Sequence, residues 1–472
     1  MLSINKVAIG ASIALFASSV AAHAGHGGPK PGGSKTMNVH KRASNTASNY
    51  QAEASITSTA EECTAYYIEE VNALASAYPT IWTIASIPTA DTYASSVFNA
   101  MSSGIPNIAP RGTSNGDFSG VTYDTSTDPD CWWTQTGCTK PKAAGIPDDV
   151  ITCPEAKTWG LSFDDGPNCT HNAFYDFLQT NNQKATMCYI GSNVMDWPLQ
   201  AQRGIADGHH IIGHTWSHMY MTSLTNEEVF AELYYSSKAI KDIMGISVEA
   251  WRPPYGDVDD RVRYIATQLG LKTILWDNDT DDWEVEPAGD LTQAQVEANY
   301  QDILGNVSSS HGTIVLTHEI NEYTMELFMT EYSKIQGVYS HIVPLTACMN
   351  WTDPYQEGDI TYPNFEDYVA GTTMPSGSPT TFTISSASYS PYQGGGSSVV
   401  AAEGLATGAA SSASSSGSKA KSSSGSSGSA ASASSGSSDA SSTSKSSASG
   451  LTKPLAGIAA AVFGGVAFVI FA

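Results

Sequence analysis

A chain of 472 residues with 46 acidic side chains against 22 basic ones, and a formal net charge of -24, offers no basic surface of the kind that holds nucleic acid or anionic lipid. Its length allows two or three domains, but segments of low complexity at both ends remove much of it. Seven cysteines imply disulfides, with one thiol left over or paired elsewhere.

The chain opens with Lys6, an apolar run from Val7 to Ala22, and then Ala22-His23-Ala24, the charged, apolar and small-residue order of a secretory signal peptide. Cleavage is expected between Ala22 and Gly25, giving domain boundaries of 1–24 for the leader and 25–50 for a Gly-, Ser-, Pro- and Lys-rich disordered arm. Residues 51–150 form an N-terminal extension. It has helical spacing over Glu61–Tyr78, many turn residues over Pro79–Ala143, and the pair Trp132-Trp133. It reads as a cap on the main domain, with no function assignable from sequence.

From residue 151 to about 350 the pattern becomes regular. Apolar runs at Thr158–Phe163, Ala185–Ile190, His210–His214, Val248–Trp251, Thr273–Trp276, Thr313–Thr317 and Ile342–Leu345 predict strands. Between them, Asn172–Thr180, Pro198–Ala206, Glu227–Met244, Val258–Leu269, Gln293–Leu304 and Met325–Gln336 predict helices, the third opened by a capping box of Thr225 and Glu228. Such alternation gives an α/β fold, a distorted (β/α) barrel of about seven parallel strands. Catalytic groups in such barrels sit at the C-terminal ends of strands.

A C-terminal extension, 351–407, precedes a Ser/Ala/Gly-rich stalk at 408–450 that cannot bury enough apolar surface to fold. Residues 451–472 end in an apolar tail, Leu455–Ala472, which reads as a GPI-attachment signal that is removed. The attachment residue is expected within Ser446–Gly450, at Ser449 or a neighbour; the competing reading is an ordinary membrane helix. Preferred disulfides are Cys153 with Cys348 and Cys131 with Cys138, although sequence alone does not fix the pairing. Asn168, Asn278, Asn306 and Asn350 begin glycosylation sequons, two of which abut the motifs below.

Five polar clusters fall after predicted strands. Ser162-Phe163-Asp164-Asp165-Gly166-Pro167 is a strand emptying into a tight turn with two adjacent carboxylates. Like charges held that close raise each other's pKa unless a cation separates their jobs, so the pair asks for a metal; the plainer reading is an Asp-rich turn. His214 and His218, in His-Thr-Trp-Ser-His, would share one face of a helical turn with spacing suited to a single ion. Arg252-Pro253-Pro254-Tyr255-Gly256 follows the fourth strand, and its prolines favour an extended backbone that can present an amide. Asp279-Thr280-Asp281-Asp282-Trp283 and Leu316-Thr317-His318-Glu319 complete the set at one rim.

In this order the five motifs resemble those of the polysaccharide deacetylases (NodB homology domain, carbohydrate esterase family 4), over roughly residues 153–348. Leader, stalk and apolar tail add a likeness to the family's fungal cell-wall members that act on chitin. The resemblance implies a divalent metal, most often Zn2+ with Co2+ or another ion as alternatives, held by Asp165, His214 and His218. It implies Asp164 as general base, Arg252 as its orienting partner, the Tyr255 backbone N–H as oxyanion donor and His318 as general acid. Asp279 is the implied carboxylate tuning His318, with Asp281 or Asp282 able to substitute. Tyr255, Trp283 and Leu316 would meet substrate together with Asp164, while Trp251 is either a sugar platform or core. Cys169 and Cys188 are not expected to be ligands. The implied activity is amide hydrolysis on N-acetylglucosamine polymers, chitin being converted to chitosan and acetate. Alternatives are another acetylated polysaccharide such as xylan, or a non-catalytic chitin-binding wall mannoprotein. The implied setting is secreted, tied to plasma membrane and cell-wall glucan through the GPI anchor.

Overall fold

A computed structural model describes residues 47–286, 289–386 and 389–391. The leader, most of the 25–50 arm, the stalk, Ser449 and the apolar tail lie outside the described residues. Eight strand segments form one sheet in which every pairing is parallel: β1 Thr158–Gly166, β2 Thr186–Tyr189, β3 His210–Gly213, β4 Ala250–Trp251, β5 Lys272–Thr273, β6 Asn278–Asp279, β7 Thr313–Leu316 and β8 His341–Pro344. The order is β5-β4-β3-β2-β1-β7-β6, with β8 also on β1. β1 is buried along its whole length, as a strand covered on both faces must be.

β5 and β6 belong to one run of chain, residues 272–279. Its first part pairs with β4, Trp251 opposite Thr273, and its last part with β7, Asp279 opposite Leu316. The two edges of the sheet are thus the two halves of a single stretch. Counted as one, it makes seven strands, the number the apolar runs predict.

The main helices are α1 Asn172–Thr180, α2 Pro198–Ala206, α3 Asn226–Met244, α4 Asp260–Gln268, α5 Gln293–Gly305 and α6 Glu322–Val338. α3 opens with the expected capping box of Thr225 and Glu228, and stops at Gly245, whose φ of 84° is easy for glycine alone. Among the described residues, no helix is long and apolar enough to cross a membrane.

Residues 47–150 share the barrel's hydrophobic core through Val71, Leu74, Tyr78, Val97 and Met101. Tyr78 stacks on Trp216 at 5.6 Å and donates to Asp242 at 2.6 Å. Disulfides join Cys131 to Cys138 and Cys153 to Cys348, as expected, and also Cys63 to Cys169, which ties the extension to the loop after β1. Cys188 is the remaining, buried thiol. The Cys153–Cys348 bridge spans 195 residues and so constrains the unfolded chain heavily. Replacing both with Ser is expected to lower unfolding free energy by about 2–5 kcal/mol, read from urea denaturation.

Candidate active site

The β1–β7 ladder continues past the strand ends. Asp164 N–H donates to Thr317 O at 2.9 Å and Glu319 N–H to Asp164 O at 3.0 Å, which sets His318 abreast of Asp164. Asp164 is nearly inaccessible, and its Oδ1 accepts from Arg252 Nη1 at 2.7 Å. Burial alone would raise this carboxyl, but Arg252, then His214 and His318, hold it below its ordinary value.

Asp165 turns the chain through a φ of 72° and points its carboxylate another way. Its Oδ1 lies 3.0 Å from His218 Nε2 and 3.4 Å from His214 Nε2. The His pair does not stand on a helical turn, as the i, i+4 spacing predicts. Residues 214–218 form an irregular loop with Thr215 at φ 64° and His218 at φ 57°, and the two rings meet with centroids 4.9 Å apart. His214 Nδ1–H donates to Arg252 O at 2.8 Å, which fixes the tautomer and leaves the Nε2 lone pair facing Asp165. The buried Asp165 Oδ1 accepts no hydrogen bond. One carboxylate oxygen and two imidazole nitrogens that converge within 4.8 Å of one another fit a divalent cation. A second grouping, Asp128 with Cys131 and Cys138, offers no such site because its sulfurs form a disulfide.

The loop after β4 also departs from expectation. Pro254–Gly256 is a 3-10 turn rather than extended chain, and Tyr255 sits at φ 58°, ψ 12°, a left-handed conformation costly for a non-glycine residue. The Tyr255 ring stacks on Tyr220 at 3.9 Å, and its hydroxyl lies 3.1 Å from His218 Nδ1.

His318 is held by Asp282, not by Asp279. The Asp282 carboxylate straddles it, Oδ2 accepting from the backbone N–H at 2.9 Å and Oδ1 2.6 Å from Nδ1. Asp281 adopts φ 53° and swings Asp282 back toward β7. Asp279 instead accepts from Asp281 N–H at 2.9 Å, and burial, then the Asp281 charge, pushes its carboxyl well up. The carboxylate that meets His318 is thus Asp282, and the expectation of Asp279 in that place is corrected. With Nδ1 engaged, any proton the ring delivers to the cavity comes from Nε2.

The cavity is lined by Asp164, the three converging donors, His318, Tyr255, Trp283 and Leu316. Trp276 and Ile320 line it too, both missed from sequence because they lie just outside the motifs. Trp251 does not: it is fully buried, donating to Thr273 Oγ1 at 3.1 Å, so the core reading holds. Among the sequons, Asn306 and Asn350 are exposed, whereas Asn168 and Asn278 are half-buried, donating to Ile320 O at 2.6 Å and to Thr313 Oγ1 at 2.8 Å.

The sequence model of the family described as Polysaccharide deacetylase matches residues 152–274. Chitin deacetylase 2 of Cryptococcus neoformans var. grubii is 53% identical over 328 residues, covering 68% of this chain and 72% of that protein. The chain belongs to the polysaccharide deacetylase family. Other similar family members are Chitin deacetylase 2 of Cryptococcus neoformans var. neoformans, 46% identical over 80% of this chain and 84% of that protein, and Chitin deacetylase of Amylomyces rouxii, 48% identical over 65% and 73%. The family match ends before Asp282 and His318; β1–β7 pairing brings His318 beside Asp164 inside the match, and β6–β7 pairing brings Asp282 to His318.

Proposed function

We propose that this polysaccharide deacetylase removes N-acetyl groups from the N-acetylglucosamine units of cell-wall chitin, giving chitosan and acetate, and that a divalent cation, Zn2+ first, serves it. The observation that carries the reading is the placement of Asp164 and His318 side by side against the cluster of Asp165, His214 and His218. Three similar proteins named chitin deacetylases support the choice of polymer.

Asp165, His214 and His218 would hold the cation, which when bound supplies Lewis acidity toward the acetamide carbonyl and makes water more acidic. Asp164, kept ionised by Arg252, takes the proton from the attacking water. The Tyr255 N–H faces the oxyanion that develops on the acetyl carbon. His318, oriented by Asp282, returns a proton from Nε2 to the departing amine, so that the C–N bond breaks to a neutral leaving group. Leu316 accommodates the acetyl methyl and Trp283 a sugar face. Secretion, a GPI tether at Ser449 or a neighbour, contact with wall glucan, and glycans at the exposed Asn306 and Asn350 complete the proposal.

Acetate release from chitin oligomers and from acetylated xylan, with and without a chelator, tests it. Release from chitin oligomers that chelation abolishes and added Zn2+ restores is the expected result. Chitin binding without acetate would favour the wall-binding reading, and faster release from xylan would move the substrate.

A further inference from the structure

Tyr255 carries the oxyanion donor in a strained, left-handed conformation, and such a residue persists only where its surroundings over-determine it. Tyr220, His218 and Thr222 of the barrel supply part of those surroundings, and the N-terminal extension, outside the span that matches the family, supplies another part. The loop closed by the Cys131–Cys138 disulfide lies against the turn: Trp133 N–H donates to Val258 O at 3.0 Å and Asp260 N–H to Asp130 O at 2.9 Å. Asp257, fully buried two residues after Tyr255, accepts from Trp132 Nε1 at 2.9 Å and Thr134 Oγ1 at 2.6 Å. Gly256 has φ 66°, and a Cβ there would collide with the Trp133 ring.

The same indole reaches the other side of the site. Trp133 meets Trp276 edge-on at 4.9 Å, Trp276 lines the cavity, and the Arg252 guanidinium lies 5.8 Å over its ring. Arg252 in turn holds Asp164. Arg263 fixes the loop itself, donating to Cys131 O at 2.6 Å and Cys138 O at 2.8 Å. Among the described residues, none from the extension lines the cavity, so the loop can act only through others.

We propose that the disulfide-closed loop 131–138, through Trp133, is a positioning element for the Tyr255 amide and for the Arg252–Asp164 pair. This rests on the deacetylase reading. No residue of the loop lines the cavity, so its loss is expected in turnover rather than in binding.

The test compares Trp133→Ala, Trp133→Phe and Thr134→Val in the full secreted chain on chitin oligomers, with Zn2+ affinity and amide hydrogen exchange at Tyr255 and Gly256 measured alongside. In Trp133→Ala, kcat is expected to fall by about 10²-fold, the cost of a small misplacement, with KM and Zn2+ affinity within about threefold. Exchange at residues 255 and 256 rises, and Trp133→Phe recovers most of both. Thr134→Val, which leaves the indole packing intact, shifts both in the same direction by less. Unchanged exchange with unchanged kcat overturns the proposal, as does a rise in KM at constant kcat. Wild-type protein that releases no acetate, yet shows the Trp133-dependent rise in exchange, sinks the deacetylase reading and leaves the brace standing.

Discussion

Replacing Asp164 with Asn is expected to lower kcat by about 10²–10⁴-fold while Zn2+ stays bound. The amide keeps the shape and can still accept from Arg252 Nη1, but it cannot take a proton from water. Asp165, His214 and His218 are untouched by the change, which is why cation affinity survives. Arg252 is completely buried, and its ion pair with Asp164 closes at 2.7 Å. The variant therefore strands a guanidinium away from water, and stability falls by about 3–5 kcal/mol. Acetate release per bound Zn2+, measured well below the melting temperature, separates the two effects. A variant within tenfold of the wild-type rate would remove Asp164 from the role of base.

Asp282→Asn is expected to lower kcat by about 10²-fold and to move the alkaline limb of the pH–rate profile toward lower pH. Burial pushes the His318 imidazole down, but Asp282, by charge and hydrogen bond, together with Asp165 and Asp164, outweighs it, so the ring is lifted to about 10. A raised pKa keeps the proton donor charged as pH climbs. Without the Asp282 charge the pKa drops, the protonated fraction falls sooner, and the rate falls with it. Asp279→Asn should leave that limb in place. If instead Asp279→Asn moved it and Asp282→Asn did not, the pairing seen here would not be the working one.

Much of the barrel was legible because strand and helix periods alternate cleanly between Thr158 and Leu345, and because α3 carries both its capping box and its terminal glycine. The five motifs were legible for the same reason, each following a strand that ends at one rim. What sequence misjudged was local turn geometry. A four-residue His spacing suits one helical face, but the left-handed Thr215 and His218 close the pair without a helix. Among the three acids within Asp279–Asp282 the resemblance puts Asp279 first, and the end of β6 with the φ of Asp281 instead sets Asp282 at His318. Trp251 and Trp276 are both buried aromatic residues at the ends of predicted strands, and only their place relative to the cavity tells the core residue from the one lining it. The grip of Trp132 and Thr134 on Asp257 joins positions more than a hundred residues apart, beyond any periodicity.

Because the stretch 272–279 stitches β4 to β7, places Trp276 at the cavity and leads on to Asp282 at His318, the seam of the barrel and the His318–Asp282 pair are one object. Inserting or deleting a single residue between Ile274 and Asp277 would shift β6 against β7 and slide the carboxylate off the imidazole. Evolutionary tinkering with length should therefore be tolerated in the outer loops and forbidden along this suture.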